Sequence, residues 1–357
     1  MLATPKFSYH GRQSIAPTYK MANKDPFFFT DSGQHDTWLN QVTEEIIEPD
    51  LPIIDAHHHL WLRNPPPYLA LEYFKDIATG HNVVASVFAE CHSMYRQQGP
   101  EAFKPVGESE FVSGVGAMSD SGAFNGVQIC KVMFGAVDLT LGDKVKPVLE
   151  SHDIASGGRF RGVRAAANHH PDFQSSVDDP NYLEQPAVRK AIACLGEYGH
   201  SLDCWVYHTQ LHQVAALASD FPDLTIILNH FGVPILGGPF RGRADEVFQD
   251  WQKSIAEVAQ YPNVVFKLGA LPIRRESREL PPTSDEIVAA WRSWTDVAIE
   301  HFSPARCLFE SNFPVDKRHC SYHVLWNACK KLAGGYSDSE KADLFAGTAK
   351  RAYRITL

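Results

Sequence analysis

Eight short apolar runs separated by longer amphipathic segments constrain this chain more than any other feature. The runs are LPIIDAH (51–57), NVVASVFAEC (82–91), VQICKVMFGAV (127–137), RFRGVRAA (159–166), SLDCWVYH (201–208), LTIILNHFG (224–232), NVVFKLGAL (263–271) and RCLFESNF (306–313). Between them lie segments with apolar residues at three- and four-residue spacing, among them KVKPVLESHDI, QPAVRKAIACLGEYG, LHQVAALASDF, ADEVFQDWQKSIAEVAQY and SDEIVAAWRSWTDVAIEHF. That spacing gives a helix one apolar face, whereas a short apolar run suits a strand covered on both sides. Strand, helix, strand in this rhythm predicts a parallel sheet. Eight such strands, with no GxGxxG phosphate turn after the first, fit a closed (β/α)8 TIM barrel better than an open doubly wound sheet.

The barrel is expected over residues 51–357, with 1–50 as an N-terminal extension packed on it. This extension reads as a polar arm followed by a helix in HDTWLNQVTEEII, which Pro49 stops. Residues Glu90 to Gly126 show no sustained period and are expected to form a long irregular loop over the barrel mouth. The length of 357 residues and 44% apolar content supply enough material for one large core.

Charge narrows the partners. A formal net charge of -9, without clustered Lys and Arg, lacks the footprint of a nucleic-acid or anionic-membrane binder, so a small-molecule substrate is expected. No apolar run approaches the roughly 18 residues of a membrane span. Seven cysteines without close pairing and an N-terminus without an apolar signal core point to a reduced, cytoplasmic protein. A homodimer through the outer helices fits such a barrel, although no surface stripe selects it.

In a barrel of this kind the chemistry sits where the strands end. His57 and His59 close the first run, Glu90 and His92 the second, Arg164 the fourth, His208 the fifth and His230 the sixth; Lys267 lies on the seventh and Asn312 ends the eighth. Residues two apart on a strand share a face, so His57 and His59 are expected to point together toward the mouth, with Ala56 and His58 on the other side. Two same-facing imidazoles can hold a divalent metal with help from other strand ends; the alternative is hydrogen bonding to packed neighbours. Asp55 shares the inward parity, as the hydrogen-bond partner of a ligand or as a capping carboxylate. Trp61 follows the histidines, and CHSMYR brings His92 and Tyr95 near the mouth. These, with Arg164, Glu108 and His208, are the candidate substrate contacts. A guanidinium at position 164 offers two parallel donors to a carboxylate or a developing oxyanion, or else pairs with a barrel carboxylate.

IIDAHHHLW, GVRAAA, NHFGVP, VVFKLGAL and RCLFESNFPVDK, in this order over about residues 50–357, resemble the amidohydrolase-related TIM-barrel proteins, in the branch of sugar-lactone and pyrone-dicarboxylate lactonases. The resemblance implies a pocket built from His57, His59, His230 and Asn312, with Arg164 gripping an acidic or carbonyl group, and Glu108 matches a glutamate of the branch's second-strand loop. It implies His57, His59 and His230 as ligands of one divalent ion, zinc or manganese. The fourth-strand lysine that bridges two metals in some relatives is missing from RFRGVRAA, which argues against a binuclear centre. Asn312 stands where many relatives carry an aspartate that acts as base and metal ligand. An amide removes one negative charge from a bound cation, so the ion is expected to be weakly held or absent; nor can it accept a proton at neutral pH, and Asp316, four residues on, is the candidate surrogate base. The expected activity is opening of a lactone or related cyclic ester of a small carboxylated or polyhydroxylated substrate. A decarboxylase or C–C bond-cleaving lyase on the same scaffold, and a catalytically silent binding protein, are the alternatives.

Overall fold

A computed structural model describes residues 32–62, 67–270 and 279–357. The eight expected strands are all present: β1 (Ile53–His58), β2 (Val83–Ala89), β3 (Gln128–Gly135), β4 (Phe160–Ala166), β5 (Ser201–Trp205), β6 (Ile226–Leu228), β7 (Val264–Leu268) and β8 (Cys307–Phe309). They pair in sequence order, every neighbouring pair parallel. The ring closes just beyond β8, where Asn312 N–H donates to His57 O at 2.8 Å and His59 N–H to Phe313 O at 2.7 Å. The fold is therefore a nearly closed (β/α)8 TIM barrel, and its closing seam lies at the candidate histidines.

Two apolar cores result from the alternation of side chains. Ile54, Ala56, Val87, Phe134, Ile227 and Leu308 fill the interior together with Tyr353 and Ile355, so the C-terminal segment packs into the barrel. A larger core lies between strands and helices and includes Trp251, Trp291, Leu202 and Val214. The helices are α1 (Ser32–Leu39), α2 (Ala70–Ile77), α3 (Val106–Asp120), α4 (Lys146–Ser156), α5 (Pro186–Glu197), α6 (Leu211–Asp220), α7 (Ala244–Val258), α8 (Ser284–Phe302) and α9 (Tyr322–Leu332), before a short C-terminal helical stretch. Local chemistry sets their ends. Thr283 and Glu286 exchange backbone hydrogen bonds in a capping box at the start of α8. Gly157, at φ 59°, ends α4 in a conformation that carries no side-chain penalty.

Two sequence expectations change. The helix expected across 35–47 is α1, which stops at Leu39; the chain beyond it is instead tied to α9, with Lys330 Nζ donating to Ile47 O and Glu48 O at 2.9 and 2.8 Å. Of the expected arm, residues 1–31 lie outside the described residues. The loop expected over 90–126 contains α3, the crossover helix between β2 and β3. Its small residues hide the helical pattern because the helix sits close to the loop: a Cβ on Gly107 would stand 2.5 Å from Met94 O and 2.7 Å from Arg96 N. All seven cysteines are free and buried. Among the described residues no helix is long and apolar enough to cross a membrane.

Candidate active site

The site begins with an irregularity in β1. Asp55 pairs with Ser86 and His58 with Phe88, so four residues of β1 span three of β2, as in a β-bulge. The bulge breaks simple alternation. Ala56, expected opposite His57, lies instead in the interior core, and His57 beside it lies against Phe134 of the same core, ring centroids 5.5 Å apart. Asp55 turns instead to the surrounding helices, accepting from Tyr73 of α2 at 2.6 Å and Tyr322 of α9 at 3.1 Å. It also accepts from the Ser311 backbone at 2.9 Å and its hydroxyl at 2.6 Å. Its expected inward position is thus corrected: Asp55 locks the first strand to the eighth from outside. His58 stacks on Tyr73 at 4.0 Å and bonds Ser86 at 2.9 Å, and burial pushes it down to about 3.

Inside the seam, three strand ends bring their side chains together. The Nε2 atoms of His57 and His59 face each other at 3.2 Å, and His59 Nδ1 meets Ala89 O at 2.9 Å. His230, after β6, bonds Glu310 Oε1 through Nδ1 at 2.5 Å, and His57 Nδ1 is 3.2 Å from Glu310 Oε2. The His57 and His230 rings are 4.6 Å apart. Beneath them Lys267 of β7 lies 3.0 Å from His57 Nδ1, 3.0 Å from Asp203 Oδ1 and 3.6 Å from Glu310 Oε2. Asp203 also accepts from Asn229 and Tyr353, each at 2.8 Å. Gly269 makes room for this arrangement, since a Cβ there would collide with the Glu310 side chain.

Burial and then the Lys267 charge push the His57 imidazole well below its usual range, keeping it neutral. Burial opposes ionisation of Glu310, but the charges of His230 and Lys267 outweigh it and hold the carboxyl below its usual range.

Glu310 and Asp203 are the residues that sequence reasoning missed. Glu310 stands within the eighth run, in RCLFESNF, and supplies the carboxylate whose loss at Asn312 weakened the expected site. Its signal was an acidic residue two positions before Asn312, and hence on the same strand face.

Beside this cluster lies a second group. Arg164 donates through Nε to Glu90 Oε1 and through Nη2 to Glu90 O, both at 2.7 Å, and its guanidinium lies 5.3 Å from the Trp205 ring. Burial disfavours a charged Glu90, yet Arg164 more than offsets it and holds the carboxyl low. His92 reaches Glu90 at 3.8 Å and Tyr95 bonds His92 at 3.2 Å. Trp61 stacks on His59 with centroids 6.0 Å apart, beside the histidine cluster.

Two candidates are placed differently. Glu108 is buried under the loop, where Oε1 accepts from the backbone of Cys91 at 3.0 Å and Ser93 at 2.9 Å. Those bonds make it a holder of the loop rather than a contact at the mouth. His208 accepts from Ile235 N at 3.2 Å and packs on Phe240, tying down the segment after β6; burial pushes it to about 4. At the seam, Asn312 Nδ2 donates to Asp316 Oδ1 at 3.2 Å, and both residues are nearly buried.

The family model for Amidohydrolase matches residues 54–355. This chain belongs to the amidohydrolase family. It is 32% identical over 329 residues to an uncharacterized protein, y4mH, of Sinorhizobium fredii, covering 86% of this chain and 99% of that protein. An L-fucono-1,5-lactonase of Burkholderia multivorans is 26% identical over 313 residues, covering 85% and 96%. The crystal structure of an amidohydrolase from Burkholderia multivorans with bound zinc matches with a TM-score of 0.66 and 21% identity, over 85% of this chain and 99% of that one.

The cluster in this amidohydrolase fits a divalent ion. Two nitrogens each about 2.0–2.1 Å from one ion lie roughly 3.3–3.4 Å apart at the tetrahedral angle, and the His57 and His59 Nε2 atoms are 3.2 Å apart. His57, His230 and Glu310 offer ligand atoms within 4.8 Å of one another. Glu310 faces the Nδ1 atoms of His57 and His230, a carboxylate able to accept from both when their Nε2 atoms hold an ion.

Proposed function

We propose that this amidohydrolase opens the lactone of a small polyhydroxylated or carboxylated substrate, with one zinc ion held by His57, His59 and His230. The observation that carries the reading is the pair of Nε2 atoms facing each other at 3.2 Å beside a carboxylate-bound third imidazole. Three imidazoles leaving one position open are a common catalytic zinc arrangement. The bound ion would polarise the ring carbonyl and acidify water.

The remaining steps belong to side chains. Glu310 orients His57 and His230 by accepting at their Nδ1 atoms. Arg164, fixed in direction by its two bonds to Glu90, keeps Nη1 for the substrate's carbonyl or carboxylate oxygen. Asp316, steered by the Asn312 amide, accepts the proton of the attacking water at its carboxylate. Trp61 and Tyr95 supply ring surface at the mouth. The L-fucono-1,5-lactonase relative and the zinc-bound neighbour support substrate class and ion respectively.

The test is turnover of sugar 1,5-lactones and cyclic diacid lactones by the zinc-loaded protein, followed by product analysis. Ring opening that adds water without releasing carbon dioxide is the expected result. Carbon dioxide release would establish the lyase alternative, and binding without turnover of any lactone would leave a binding protein.

A further inference from the structure

Lys267 is enclosed with the candidate ligands, fully buried at 0% exposure between Asp203 and Glu310. Its surroundings hold it in place: Asp203 is fixed by Asn229 and by Tyr353 from the C-terminal segment, and the Phe134 ring lies 4.6 Å from Nζ. This ammonium points at a nitrogen, His57 Nδ1, at 3.0 Å. An ammonium has donors and no acceptor, so Nδ1 must offer its lone pair and the neutral ring must carry its proton on Nε2. At the far end, His59 Nδ1 faces the Ala89 carbonyl at 2.9 Å, which only accepts; His59 is therefore protonated on Nδ1 and has its lone pair on Nε2. The two ends agree. Lys267 donates to His57, His57 Nε2–H donates to His59 Nε2, and His59 donates to Ala89.

We infer that Lys267 is a positioning residue that locks His57 in the tautomer unable to ligate through Nε2, and so acts as a built-in competitor of the metal ion. The inference rests on the zinc reading above. For an ion to take His57 Nε2, one proton must leave that atom and one must arrive at Nδ1, with no net change in protonation. Nδ1–H then turns from Lys267 to Glu310 Oε2, 3.2 Å away. Lys267 keeps Asp203 as its partner but loses an acceptor, and its positive charge remains close to the incoming cation. The His57 ring thus has two partners on one atom, one favouring the metal-free chain and one favouring the ligand.

The experiment uses the full chain. Long-range proton–nitrogen NMR of 15N-histidine-labelled, zinc-free protein is expected to show His57 protonated on Nε2 and His59 on Nδ1. Equilibrium dialysis with zinc is expected to show about tenfold tighter binding for Lys267→Gln, the scale of changes to a ligand's hydrogen-bond partner. Lys267→Arg, which keeps the charge, is expected to stay close to the unsubstituted protein. A His57 protonated on Nδ1 in the zinc-free protein would overturn the inference, as would unchanged or weaker zinc binding by Lys267→Gln. Should that variant fail to fold, the NMR result on the unsubstituted protein decides. Absence of lactone turnover with these results intact would remove the substrate reading and leave the role of Lys267 standing.

Discussion

The carboxylate of Glu310 stands 2.5 Å from Nδ1 of His230, a residue 80 positions earlier in the chain. The same carboxylate is 3.2 Å from Nδ1 of His57. One acidic side chain at the end of β8 therefore sets the direction of imidazoles from the first and sixth strand ends. It also balances the Lys267 charge beneath them.

Replacing Glu310 by Gln keeps size but leaves one acceptor where, in the zinc-bound form, two imidazole N–H groups and an ammonium converge. Zinc affinity is expected to fall by about 10- to 100-fold, the usual cost of losing a partner that orients metal ligands. Turnover should fall with it. Equilibrium dialysis and kcat measured at saturating zinc separate the two effects, and unchanged values in both would remove Glu310 from the site.

Glu108 carries a pH prediction. Burial first, and the nearby Glu90 second, push its carboxyl up to about 8. An acid raised in the folded state contributes stability that is present below its ordinary value and lost as pH rises toward the raised one. Stability of the unsubstituted protein should therefore decline from the usual carboxylate range up to about pH 8 and level off above it. Glu108→Gln retains an oxygen for Cys91 and Ser93 and has no charge to bury. Its melting temperature should match the parent near pH 5 and exceed it by roughly 2 °C or more near pH 9. A constant difference across that range would show that Glu108 does not titrate there.

The barrel itself was legible because all eight strands are short, apolar and flanked by turn residues, and that pattern survives tertiary packing. His57, His59, His230 and Arg164 were legible as polar residues at strand ends. What periodicity could not show was the bulge in β1, which depends on how β2 registers against it and which turns Asp55 outward. Glu310 was hidden for another reason. Asn312 drew attention as a departure from the family pattern, while the carboxylate two residues earlier became meaningful only once His57 and His230 were seen around it. Glu108 and His208 lie at plausible positions in the chain, but their side chains are spent on backbone N–H groups of adjoining loops.

Asn312 and Asp316 allow a decisive exchange. The amide of Asn312 donates to Asp316 Oδ1 at 3.2 Å, so swapping the two side chains preserves the hydrogen bond and moves the carboxylate to position 312. Asp316→Asn alone should lower kcat by about 100-fold or more, the scale for losing a general base. Asn312→Asp alone sets two carboxylates against each other, so one should keep its proton at neutral pH and the activity profile should move upward. The double substitution N312D/D316N relieves that repulsion and restores one carboxylate with one amide donor. It should recover most of the activity lost in Asp316→Asn and bind zinc more tightly, because the acid now stands on the residue whose backbone N–H donates to His57 O. Full activity in Asp316→Asn would exclude Asp316 as the proton acceptor, and a double variant as poor as the single one would show that the carboxylate works only from position 316.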